Sequence, residues 1–102
     1  MIRHIVLFKT KPNAPLQEIK EKIENLKNLI PQIKHIEVGI DIKFDPSSSD
    51  FCVLTEVENI KDLKIYATHP KHLEVIEFVK KYTTERKVVD CELTKPSEKT
   101  SF

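Results

Sequence analysis

The chain has 102 residues, room for one domain built on a single modest core. Seventeen Lys and Arg stand against sixteen Asp and Glu, a formal net charge of +1, which removes the electrostatic case for nucleic acid as a partner. A single glycine, Gly39, rules out a Gly-rich phosphate cradle, and no apolar run reaches the length of a membrane span, so no membrane partner is expected.

The opening Met1-Ile2-Arg3-His4 leads straight into strand-like sequence and carries no signal-peptide pattern, which points to the cytoplasm. Residues 3–10 (RHIVLFKT) are rich in β-branched and aromatic side chains and predict a strand. Pro12, Asn13 and Pro15 break it. Leu16, Ile19, Ile23, Leu26, Ile30 and Ile33 then recur in steps of three and four among Lys, Glu, Gln and Asn, an amphipathic helix that Pro31 ends or kinks. Residues 35–44 (HIEVGIDIKF) alternate strictly. Ile36, Val38, Ile40, Ile42 and Phe44 are expected on one strand face, with Glu37, Gly39, Asp41 and Lys43 on the other. DPSSSD, 45–50, has turn chemistry, and 51–57 (FCVLTEV) predicts a third strand. Residues 59–69 predict a short helix interrupted by Pro70. A second helical stretch runs to about Tyr82, and residues 86–94 form a fourth strand. Residues 95–102 are a polar tail, so the domain is expected to span 1–94. Cys52 and Cys91 fall in strand-like segments of a chain expected in a reducing compartment and are read as reduced core thiols.

The order βαββαβ is that of the ferredoxin-like split βαβ motif, an α+β fold with a four-stranded antiparallel sheet and helices on one face. The other face is expected to be bare, yet the strands do not look half-bare. The first has apolar Ile5 and Leu7 on its odd face as well as Ile2, Val6 and Phe8 on its even face. The third has Cys52 and Leu54 behind Phe51, Val53 and Val57. Small domains rarely expose a large apolar patch without a use for it. A second copy packed sheet to sheet would bury it, which predicts a twofold homodimer, a dimeric α/β barrel. Glu37, Asp41, Asp90 and Glu92 are expected to make that interface partly polar.

The segment YATHPKH, 66–72, concentrates polar rings. His72 shares the stripe of Val75, Ile76 and Val79, at steps of three, four and seven. His69 precedes Pro70, a position that disfavours helix, so it is read as the cap between two helices. Tyr66 on the last turn before the break, and His4 on the face of Val6 and Phe8, point towards the same space between sheet and helices. Imidazoles transfer protons near neutral pH, and a phenol hydroxyl donates to a carbonyl oxygen. Together they suit enolisation, condensation or elimination on a small carbonyl compound. Rings on apolar faces also occur as satisfied core residues, and spacing alone does not separate the two. The His69-x-x-His72 pair lacks companion ligands, so no metal is expected. Ser47, Ser48 and Ser49 have no paired His or Asp for hydrolase chemistry.

MIRHIVLFKTK (1–11) together with YATHPKH (66–72) resembles the stress-responsive dimeric α/β-barrel (Dabb) domain family, over residues 1 to about 94. The resemblance implies the same ferredoxin-like fold and dimeric barrel. One plant member is a polyketide cyclase that closes its substrate by an aldol reaction. Its catalytic Tyr and His correspond to Tyr66 and His72, and a cavity His corresponds to His4. A further cavity His of that member would fall near Phe51 and has no counterpart here. The expectation is a homodimer whose cleft takes a small molecule, lined by His4, Phe51, Val6, Phe8, Val75 and Ile76, with no cofactor. Three readings stay open: ligand binding without an assigned activity, a cofactor-independent cyclase, lyase or isomerase with His72 as base and Tyr66 as carbonyl partner, and a purely structural stress protein.

Overall fold

The computed structural model describes residues 1–93; Thr94 and the tail expected at 95–102 lie outside the described residues. Strand β1 (Ile2–Thr10) is followed by helices α1 (Leu16–Glu24) and α2 (Leu26–Leu29). Then come β2 (His35–Ile40), β3 (Phe51–Val57), α3 (Ile60–Thr68), α4 (Pro70–Lys80) and β4 (Thr83–Glu92). The four strands form one antiparallel sheet in the order β2-β3-β1-β4, which places the first strand inside and the last at an edge. This is the predicted split βαβ architecture.

The amphipathic stripe works as the spacing predicts. Ile19, Ile23 and Leu26 bury against the sheet, and Ile30 and Ile33 continue the row after the helix has ended. Ile30 is already extended (φ −123°, ψ 105°), as a residue before proline prefers. Their partners are the even residues of β1 and the odd residues of β3, chiefly Val6, Phe51, Val53 and Val57. At about 25 cal/mol per Å² of apolar surface, this single layer of aliphatic side chains is the main favourable contribution to folding.

Three expectations about the sheet change. The second strand ends at Ile40 rather than Phe44, because Asp41 turns the chain. Its carboxylate accepts from the Phe44 N–H at 2.8 Å, and Phe44 takes a left-handed φ of 58°. Ile42 and Phe44 are therefore displayed to solvent at 89% and 84% exposure instead of joining the core face. The last strand begins three residues earlier than predicted, at Thr83, and β1 pairs with it through a shift in register between Lys9 and Thr10. Finally, the cysteines are free thiols but not core ones: Cys52 is half-buried on the open sheet face and Cys91 is exposed.

On that open face, cross-strand neighbours build an apolar centre. Leu54, Ile5 and Val89 lie in one row and Cys52 and Leu7 in the next, edged by the row His35, Glu56, Arg3 and Cys91. Leu7 and Val89 are 41% and 54% exposed. Of the four acidic residues expected to line this face, Glu37 does so and Asp41 lies beyond the strand. Asp90 and Glu92 pair with His4 and Ile2 and so belong to the helix-covered side.

Candidate functional site

His69 organises the site. It ends α3 in an extended conformation (φ −63°, ψ 134°), and its Nδ1 accepts from the Lys71 N–H at 3.1 Å, while Pro70 occupies the first turn of α4. At the other end of α3, the Asn59 side chain accepts from the Asp62 N–H at 2.9 Å. The two helices thus meet at a fixed corner. Across it the Tyr66 and His72 rings stack, centroids 4.3 Å apart and planes 30° apart. The predicted roles of His69 as cap and of Pro70 as helix start both stand.

The sheet brings the third ring. Strand pairing sets His4 opposite Thr55 on one side and Asp90 on the other. The His4 ring meets Tyr66 edge-on, centroids 6.0 Å apart. His4 Nδ1 lies 2.5 Å from Asp90 Oδ1. An ionised carboxylate only accepts, so Nδ1 is the donor and Nε2 is left outside this bond. Fully buried Thr55 donates its hydroxyl to the Tyr66 oxygen at 3.4 Å, which leaves the phenol proton available for another acceptor.

Burial, the largest influence, lowers the proton affinity of His72. The Ala67 carbonyl, 3.1 Å from Nδ1, pulls the other way, and the charges of His4, Arg86 and His69 push further down. His72 is thereby held neutral at physiological pH, with Nδ1–H on the carbonyl and Nε2 free to accept a proton. Burial also raises the Tyr66 pKa, against the hydroxyl of Thr55 and the charge of Arg86, so the phenol keeps its proton. A neutral imidazole base and a protonated phenol thus stand side by side.

The rings open on a cleft of about 520 Å³, within the range of small-molecule sites. Its floor includes Val6, Phe8 and Val53 from the sheet, and its walls include Val75 and Ile76 from α4. Of the residues expected to line it, His4, Val6, Phe8, Tyr66, His72, Val75 and Ile76 do so. Phe51 does not: it is buried behind Phe8, their rings stacked at 4.8 Å, because the cross-strand pairing sets it one strand further from α4.

Sequence reasoning missed Thr55 and Arg86 and set Asp90 on the open sheet face. Adjacent Val88 and Val89 give the last strand no alternation, so nothing in the local sequence says which way Asp90 faces. Its position becomes legible only once His4 and Asp90 are paired across the sheet. Among the described residues no group of His, Cys, Asp or Glu is gathered that would hold a metal ion, and no helix is long and apolar enough to cross a membrane.

A ferredoxin-like domain with an apolar cleft between sheet and helices and polar rings at one end of it defines a class of small α+β proteins. Within it, residues 2–93 match the family model of the stress-responsive A/B barrel domain, and the chain belongs to that family. It is 36% identical over 80 residues to a stress-response A/B barrel domain-containing protein of Arabidopsis thaliana. That stretch is 76% of this chain but 30% of the plant protein, so the chain spans less than a third of that relative's length. A dimeric protein of unknown function with a ferredoxin-like fold from Bacteroides fragilis superposes with a TM-score of 0.76 at 34% identity, covering 90% of this chain and 95% of that one. A hydroxynitrile lyase from Passiflora edulis superposes at a TM-score of 0.78 with 20% identity, covering 93% and 96%, a likeness of fold alone.

Proposed function

We propose that the protein is a homodimer that packs sheet to sheet and binds a small carbonyl compound in the cleft of each protomer. The observation that carries the ligand reading is the stacked Tyr66–His72 pair lining an open, largely apolar cleft. Its polar atoms are only partly committed: among the described residues the Tyr66 phenol proton and the His72 Nε2, like the Nε2 of neighbouring His4, have no hydrogen-bond partner. Dimerisation is supported by the apolar centre of the open face around Ile5, Leu54 and Val89, and by the dimeric relative from B. fragilis. The test is native mass spectrometry against a panel of small ketones and 1,3-dicarbonyls. The wild-type dimer retains one ligand per chain, and Ile76→Trp, which fills the cleft, loses it; retention by the filled variant contradicts the reading.

The same geometry favours a second, stronger reading, cofactor-independent lyase, cyclase or isomerase chemistry on that ligand. His72 Nε2 removes a proton from the carbon beside the carbonyl, and the Tyr66 hydroxyl donates to the carbonyl oxygen as negative charge develops there. His4, oriented by Asp90, returns or relays the proton. His72→Ala and Tyr66→Phe abolish turnover of such a substrate with folding intact; unchanged turnover in both removes this reading.

A further inference from the structure

The end of the cleft away from the rings is built differently. There the junction of α4 and β4 contributes Lys80, Thr83, Thr84, Glu85 and Arg86. Most of their polar groups are occupied. Thr83 donates its hydroxyl to the Val79 carbonyl at 3.2 Å and Thr84 to the Lys9 carbonyl at 3.5 Å. Lys80 lies 3.8 Å from the Glu77 carboxylate. The nearby acids are also engaged: Glu85 faces Lys87 at 3.4 Å, and Asp90 is held by His4. Arg86 differs. Among the described residues its guanidinium joins none of the ion pairs, although it sits opposite Phe8 on the cleft side of the sheet. Its charge reaches the ring pair, favouring the Tyr66 phenolate and disfavouring the His72 imidazolium.

A guanidinium offers five donors in a planar fork suited to a carboxylate, and such a charge-assisted pair gains strength beside low-dielectric walls. One uncommitted cation matches one negative charge. The aliphatic lining of Val6 and Val53 from the sheet with Ile23 and Leu26 from α1 and α2 matches an apolar body and disfavours a second charge. We infer that the cleft selects an amphiphilic monocarboxylate, its apolar body against the sheet floor and its carboxylate on Arg86. This inference rests on the ligand-binding reading above and adds the chemical class of the ligand.

Calorimetric titration of the intact protein with octanoate and with octan-1-ol tests it, the two probes sharing a chain and differing in charge. Octanoate binds roughly tenfold or more tightly than the alcohol, the order expected of one charge-assisted pair, and loses that advantage as salt is raised. Arg86→Gln, which removes no side-chain hydrogen bond or ion pair among the described residues, brings the two probes within about twofold of each other without changing octanol affinity or the melting temperature, whereas Arg86→Lys retains part of the preference. Equal binding of the two probes by the wild type, or a preference that survives Arg86→Gln, overturns the inference and leaves the cleft as a neutral-ligand site. If neither probe binds while 2,4-pentanedione does, the carboxylate class is wrong and the carbonyl site stands. If none of the three binds, both readings fall.

Discussion

The two faces of β1 are both apolar at their centres and have opposite fates. On the even face Ile2 and Val6 are closed over by the chain's own helices, with His4 and Phe8 forming the floor of a cleft. On the odd face Ile5 is half-buried and Leu7 lies 41% exposed, with no helix above them among the described residues. The difference teaches that alternation alone does not mark the core. One face is buried by sequence-local helices that follow the strands in the chain, and the other is left open by the described residues. Polar groups divide the same way. The histidine on the covered face is aimed and paired, whereas Arg3 on the open face makes a rim pair with Glu56, two N–H donors on one oxygen at 2.8 and 3.2 Å.

Breaking the covered face has the largest effect. Ile19 is fully buried beneath the sheet, and Ile19→Ala is expected to cost about 2–5 kcal/mol of stability, measured by urea denaturation. A loss under about 1 kcal/mol would mean that the helix layer is not the core. On the open face, Leu54→Lys is expected to leave the protomer folded and to drive it from a dimer to a single 11.9 kDa chain in sedimentation at low micromolar concentration. A folded dimer surviving that substitution would place the interface elsewhere. The smallest effect sharpens the cleft side. His72 has a folded pKa lowered from its ordinary value of 6.5, chiefly by burial, so its contribution to stability is complete above that value and declines as pH falls through the lower folded pKa, because the unfolded chain binds the proton first. His72→Gln should flatten stability against pH below about 6.5, a range where the wild type loses stability. An unchanged slope would show that the ring is solvated rather than held in the cleft.

Much of this was legible in the sequence because the signals were local. The helix break at Pro70 fixes His69 as a cap, and a cap at that point turns Tyr66 and His72 towards each other whatever the rest of the fold does. The stripe from Ile19 to Ile33 likewise needs no partner to be recognised. What could not be read depends on pairing between distant segments. Asp90 finds His4 across 86 positions of sequence, and only the register of first strand against last decides that it lies on the cleft side. Arg86 reaches the cleft by the same register. The early end of β2 is a different failure. The alternation through Ile42 and Phe44 is a true strand pattern, overridden by one aspartate that captures the chain in a turn. Phe51 is expected at the cleft from the family resemblance, where a cavity His falls near it, but the strand order sets Phe8 in front of it.

The four histidines make the central claim directly measurable, since two lie in the cleft and two do not. His4 and His72 line it, while His35 is exposed beside Glu37 on β2 and His69 caps a helix. Resolved ring resonances of all four can be followed by nuclear magnetic resonance while 2,4-pentanedione, a small enolisable dicarbonyl, is titrated into the intact protein. The account predicts saturable shifts of His4 and His72 with His35 unmoved and His69 at most weakly perturbed. Four unmoved rings, or shifts of equal size at His35, would contradict it.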